Sequence, residues 1–238
     1  MDDWYSIAGF NDPMSSISHL AGTAVFSVLS IVLLRSAWPS RRRFWYSFVF
    51  AVSVVLLLTM SFVYHMMAVG GTARTVMRCL DIAAIFVLIA GTFTVIHGIL
   101  FKGWKRWGLL TPLWIIAITG ISLRSVFYDS VPDWMGIGIF LMMGWLGLFS
   151  AWLILKEYGA NSFRPIFVGG VLYSVGALID GMGWPVFIDK VWGPHETFHL
   201  FVLAALGVHW SFVAKLAEGR IRQVETGDGS GQGEPVSA

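Results

Sequence analysis

Apolar residues fill seven long runs of the chain, and polar residues gather in short stretches between them. The runs cover residues 17–38, 44–67, 79–100, 108–127, 134–155, 165–184 and 195–217. Each is close to the ~20 residues that a helix needs to cross the hydrocarbon core of a bilayer. The intervening turns read PSRRR, FKGWKRW, YDSVPDW and KEYGANSFR, and Trp and Tyr crowd these junctions as an interfacial belt would. Glycine and other small residues recur inside the runs, which lets helices approach closely. The pattern predicts an all-α integral membrane protein, a seven-transmembrane helix bundle occupying residues 1–225. The tail over 226–238, TGDGSGQGEPVSA, is Gly/Ser-rich and is expected to be disordered.

Composition sharpens this. Of 238 residues, 56% are hydrophobic and 13% charged, and a soluble domain of that length cannot hide so much apolar surface. An ordinary soluble enzyme, a disordered chain and a nucleic-acid binder are excluded, leaving membrane enzyme, receptor and channel. Net charge is only +2, and Cys79 is the sole cysteine, so neither an intrachain disulfide nor a cysteine-cluster metal site can form. The start, MDDWYSIAGFNDP, is acidic and lacks the basic opening of a signal peptide. Twelve basic residues lie on one side of the seven runs: Arg35, Arg41, Arg42, Arg43, Lys102, Lys105, Arg106, Lys156, Arg164, Lys215, Arg220 and Arg222. Four lie on the other: Arg74, Arg78, Arg124 and Lys190. The bias predicts the N-terminus outside and the C-terminus cytoplasmic.

Against so few charges, polar groups near span ends stand out, because ionisable residues in spans are costly and usually functional. On the less basic side these are His19, Ser61, His65, Asp81, His195 and His199. Odd spans begin at that face and even spans end there, so four histidines and a carboxylate from four helices share one depth. Ser61 and His65 are four apart, as are His195 and His199, which puts each pair on one helical face. The His195/His199 pair can offer two imidazole nitrogens to one ion, with His65 as a third protein ligand. Three ligands and a water is the usual arrangement of catalytic zinc. Zinc lowers the pKa of that water to about 7. Asp81 can hold the water or act as a base, and Ser61 can donate to the water or to a substrate oxygen.

For any one histidine the alternative is packing or capping, and His97 and His209 fit it. His97 lies at the opposite face, and His209 lies about 21 Å along the helix from His195 at ~1.5 Å per residue. His19 is open between a role around the site and a purely interfacial one. Residues 195–199 also spell HETFH, the metalloprotease string with Glu196 as general base. The competing role for Glu196 is a carboxylate at a helix N-terminus, where the macrodipole favours it and Pro194 suits a helix start.

Four separated segments resemble signatures of the haemolysin-III-like branch of the progestin and adipoQ receptor superfamily, a relative of the alkaline ceramidases. They are DPMSSISH at 12–19, SFVYH at 61–65, RCLDIAAIFVLIAGTFT at 78–94 and HETFHLFVLAALGVH at 195–209, with GGVLYSVG at 169–176 similar to the family's sixth span. The resemblance runs from about Asp12 to Lys215. It implies seven spans and a Zn2+ ion held by His65, His195 and His199, with Asp81 and Ser61 beside the metal water as the catalytic pair. One departure is Ile82, where the family usually has histidine. Another is orientation: the family's receptors are described with the N-terminus inside, whereas the ceramidases share the direction that the charges here favour.

The expected function is zinc-dependent intramembrane hydrolysis of a lipid amide, ceramidase-like, or of an ester, in a bacterial inner (plasma) membrane. A membrane lipid is the expected substrate or ligand. The alternatives are a seven-span receptor or sensor with structural zinc, a haemolysin or channel-type protein with Asp180 as its carboxylate inside a span, and an intramembrane protease using HETFH.

Overall fold

The computed structural model describes residues 10–127, 130 and 132–224, with the side chain of 133 excepted. The 226–238 tail lies outside the described residues. Eight helices follow in order: α1 (Pro13–Ala37), α2 (Arg41–Met66), α3 (Thr72–Leu100), α4 (Trp104–Val126), α5 (Asp133–Trp145), α6 (Gly147–Tyr158), α7 (Ala160–Met182) and α8 (Pro194–Ala217). The helices α5 and α6 meet at Leu146 and together make one crossing, Trp134–Tyr158, so seven segments are long and apolar enough to span a membrane. Among the described residues there is no sheet; an isolated bridge joins Ile188 and Trp192.

Local sequence explains the helix ends. Pro13 opens α1, where its missing N–H costs nothing. The Ser40 side chain caps α2 by accepting from the Arg43 amide. At the far end of α3, Arg42 donates to the carbonyls of Gly98, Ile99 and Phe101 at 2.8–3.0 Å. Those carbonyls would otherwise be orphans at a helix C-terminus. The break at Leu146 falls between Gly144 and Gly147, where helices bend readily.

The bundle is apolar on the outside. Val28, Ile115 and Ile118 are 59–62% exposed, as lipid-facing residues would be. Inside, α1 presents Ser15, Ser16, His19, Gly22, Phe26, Ser30 and Leu33, a stripe of small and polar residues at helical spacing. In lipid, close van der Waals packing and interhelical hydrogen bonds replace the hydrophobic effect between helices. Gly22 shows the tolerance: a Cβ there would lie 2.6 Å from the Leu203 side chain of α8. The helices α2 and α8 each pack on both α1 and α3 and on each other, and α7 packs on α8. On its other side α3 packs on α4 and α5, around Phe86, Phe93, Leu113 and Met143. From Ala90 to Leu100 α3 is buried on every face, as the bundle's central helix should be.

Several helices begin before the apolar runs that the sequence shows. The helix α3 begins at Thr72 rather than at 79, because the polar turn Thr72–Arg78 stays helical beyond the apolar run. Asp81 is therefore the tenth residue of α3, about 13 Å along the helix at ~1.5 Å per residue. Likewise α2 begins at Arg41, so the arginine cluster lies on the helix rather than in a turn.

Candidate metal centre

The ends of α2 and α8 bring His65, His195 and His199 together. One ring nitrogen from each lies within 4.8 Å of the others. Ring centroids are 4.9 Å apart for His65–His195, 4.9 Å for His65–His199 and 4.6 Å for His195–His199. His65 and His199 are buried, while the His195 side chain is 39% exposed. The cluster thus has an open side at His195.

The other ring nitrogens explain the orientation. Nδ1 of His65 lies 3.1 Å from Oδ2 of Asp12, just before α1. Nδ1 of His195 lies 3.0 Å from Oδ1 of Asp180, near the end of α7. An ionised carboxylate only accepts, so each Nδ1 must carry the proton and donate it. Each Nε2 then offers a lone pair, and the two Nε2 atoms lie 3.2 Å apart. Two lone pairs cannot rest against each other at that distance without a shared proton or cation. Tetrahedral zinc with Zn–N of ~2.0–2.1 Å places its nitrogens about 3.3–3.4 Å apart. The donor set and this spacing fit a divalent ion of the zinc kind, and His199 lies close enough to offer a third nitrogen.

Asp12 serves a second partner, accepting from Nη2 of Arg74 at 2.7 Å. Arg74 also donates to the Met67 carbonyl and sits 4.9 Å from the centroid of the Tyr64 ring. Burial pushes the Asp12 carboxyl up, but the hydrogen bonds from His65 and Arg74 and the Arg74 charge outweigh it and hold it below the usual carboxylate range. The backbone joins in, as the Asp12 amide donates to the His65 carbonyl at 3.0 Å.

Among the described residues no carboxylate is seen to bond His199. Its Nδ1 is buried without a hydrogen-bond partner, and the ring is engaged by the Ser15 backbone. Instead the His19 ring of α1 stacks on it, with centroids 3.8 Å apart and planes 12° from parallel. Parallel stacked rings cannot both aim in-plane lone pairs at one ion, so His19 supports the cluster without joining the ligand set.

Asp81 of α3 lies against Ser61 of α2 and within electrostatic reach of His195. Ser61 is buried and Asp81 is partly open. The two residues expected to work beside the histidines are therefore next to each other at the same site.

Glu196 is occupied elsewhere. Its Oε1 accepts from the Ser15 hydroxyl and its Oε2 from the Gly193 amide, both at 2.9 Å. The Gly193 bond is the glutamate half of a capping box at the start of α8, glycine having no side chain to return it, and the Ser15 bond ties α8 to α1. His97 and His209 are also accounted for as packing residues. His97 lies 2.8 Å from the Lys105 carbonyl and 2.6 Å from the Ser150 hydroxyl. His209 lies 3.3 Å from the Ile166 carbonyl.

Sequence reasoning assigned no role to Asp12 and read Asp180 as a channel feature. The signals were present: Asp12 begins the segment leading to His19, and a carboxylate inside a span needs a partner. Which histidine each would meet depends on how α1, α2, α7 and α8 close against one another.

Comparison with known proteins agrees with this architecture. The chain is 30% identical over 155 residues to the Hemolysin-3 homolog of Bacillus subtilis (strain 168), covering 65% of this chain and 69% of that protein. It is 32% identical over 155 residues to the Hemolysin-3 of Bacillus cereus, covering 65% of this chain and 67% of that protein. A weaker likeness, 26% over 200 residues, reaches the Adiponectin receptor protein of Drosophila melanogaster, covering 74% of this chain and 43% of that one. The family model described as Haemolysin-III related matches residues 8–210. With seven membrane-spanning segments and most of its length inside that match, the chain belongs to the haemolysin-III related family.

Proposed function

We propose that the protein is a zinc-dependent intramembrane hydrolase that cleaves a lipid amide or ester. The observation that carries this reading is the pair of Nε2 atoms of His65 and His195, 3.2 Å apart and each backed by a carboxylate, with His199 beside them. His65, His195 and His199 would hold the zinc. Bound there, zinc supplies Lewis acidity, polarising a substrate carbonyl and lowering the pKa of a water to about 7. Asp81 takes the proton of the attacking water at its carboxylate and returns it to the leaving amine or alcohol. Ser61 orients Asp81, its neighbour, and keeps that carboxylate turned toward the histidines. The exposed side of His195 is the approach for a headgroup, while the apolar outer faces of the helices suit an acyl chain arriving sideways from the bilayer. The charge bias supports an N-terminus outside, which sets the site toward the outer leaflet of a plasma membrane.

Purified protein tests this directly. The expected result is one zinc per chain and release of fatty acid from at least one class in a panel of ceramides, other N-acyl lipids and phospholipid esters. Stoichiometric zinc with no cleavage across that panel would sink the hydrolase reading. It would favour a sensor with structural zinc, a reading supported by the likeness to an adiponectin receptor protein. The names of the two Bacillus relatives raise membrane damage or conduction, but the feature that suggested conduction, Asp180, is engaged by His195.

A further inference from the structure

Two of the three clustered histidines are backed by carboxylates that lie far away in sequence, and the third is not. Asp12 precedes α1 and Asp180 closes α7, so neither shares a helix with the histidine it meets. We propose that Asp12 and Asp180 are positioning residues, which lock His65 and His195 with Nδ1 protonated and Nε2 bare toward the centre. This rests on the metal-site reading above and deepens it.

A neutral imidazole carries its one proton on either nitrogen. Left to itself, each ring would spend part of its time with the proton on the inward nitrogen, where it blocks a metal. A carboxylate at Nδ1 removes that choice and makes the ring a stronger donor to a cation, and losing such a partner commonly costs 10–100-fold in metal affinity.

The two carboxylates are not equivalent. Asp12 is 12% exposed and shared between His65 and Arg74, so its geometry is fixed from both sides. The Asp12 amide bond to the His65 carbonyl further pins the entry to α1 across the end of α2. Asp180 is 28% exposed, and its His195 is the open member of the cluster. The His65 arm is thus the fixed wall of the site and the His195 arm its accessible wall. His199 is set instead by stacking on His19 and by the Ser15 backbone.

The experiment is chelator-competition titration of zinc on full-length protein, alongside thermal unfolding of the zinc-free form. Asp12→Asn and Asp180→Asn keep size and shape but remove the charge. Each should weaken zinc binding about 10–100-fold. Zinc-free Asp180→Asn should unfold at the wild-type temperature, because its carboxylate is partly exposed. Long-range nitrogen NMR of zinc-free wild type should show His65 and His195 as Nδ1–H tautomers, and Asp180→Ala should lose that preference at one ring only. Glu157→Gln, which alters a carboxylate beside Lys105 at the opposite face, should leave zinc affinity unchanged. If Asp12→Asn fails to fold, Asp180→Asn decides the matter alone. Affinity within twofold of wild type in the Asp180→Asn variant overturns the proposal while leaving the metal site intact. A wild type that binds no zinc overturns both.

Discussion

Glu196 is where two chemistries make opposite demands, and replacing it with Gln separates them. In a metalloprotease HExxH helix the glutamate is the general base, and its loss abolishes turnover without much effect on folding. Here both of its oxygens are committed, one to the Ser15 hydroxyl and one to the Gly193 amide, each at 2.9 Å in a residue only 6% exposed. Gln can still accept from the Gly193 amide and can donate to Ser15, so two bonds to a charged group become two neutral ones. A bond to a charged group contributes ~1.5–3 kcal/mol and a neutral one ~0.5–1.5. The missing negative charge at the start of α8 costs a further ~0.3–1 kcal/mol. Glu196→Gln should therefore lose about 2–4 kcal/mol of stability. Glu196→Ala should lose more, because it leaves the Ser15 hydroxyl and the Gly193 N–H unpaired. The assay is thermal unfolding in detergent together with hydrolysis per folded, zinc-loaded molecule. The expected outcome is a lower unfolding temperature for Gln, lower still for Ala, with turnover of the folded fraction within a few-fold of wild type. An unchanged unfolding temperature with turnover down more than a hundredfold would refute this assignment and restore the protease reading.

Other substitutions probe the remaining parts. His65→Ala, His195→Ala and His199→Ala should each abolish stoichiometric zinc binding, measured by elemental analysis of purified protein, whereas His97→Ala should retain it. Asp81→Asn should keep zinc and lose at least a hundredfold in turnover, with Ser61→Ala losing less; loss of zinc in Asp81→Asn would make it a ligand instead. Gly91→Leu should destabilise the bundle by ~1–3 kcal/mol or more, read as a fall in unfolding temperature, because even a Cβ at that position would lie 2.6 Å from the Ser53 hydroxyl of α2.

The crossings were readable because lipid imposes one requirement, a run of about 20 apolar residues, and this chain meets it seven times. The break at Leu146 was not, since the apolar run continues through it and only the flanking glycines hint at a bend. The start of α3 was hidden for the opposite reason: hydropathy ends at the interface, but the hydrogen-bonded helix continues through Thr72–Arg78. The three histidines were legible from i,i+4 spacing and a common membrane face. The partners behind them were not, because Asp12 is 53 positions from His65 and nothing local joins them. Nor does sequence carry the roll of a helix about its axis, which stacks His19 on His199 rather than turning it toward the ion's place.

Charge balance gives a separate reason to expect a divalent ion. Asp180, Glu196 and Asp81 act on His195, and Asp12 acts on His65, with Arg74 as the opposing cation there. Asp12 is matched by Arg74, while Asp180 and Glu196 lie beside His195, and carboxylates at a membrane face are costly to bury unpaired. Glu196 is offset in part by the N-terminus of α8 and by its two donors. A divalent cation held by the histidines would offset the carboxylates behind them. Protonating the histidines would supply the charge too, but Nδ1 of His65 and of His195 already carries a proton toward its carboxylate. A second proton on each ring would put two N–H groups head to head across 3.2 Å. One proton shared between the two Nε2 atoms relieves that clash but brings a single positive charge. A divalent metal ion removes the clash and brings two, so zinc loading should raise the unfolding temperature far more than lowering the pH toward the histidine range does. A bundle stabilised equally by mild acid and by zinc would mean that the four carboxylates are balanced by protons and that the histidine cluster is a proton store rather than a metal centre.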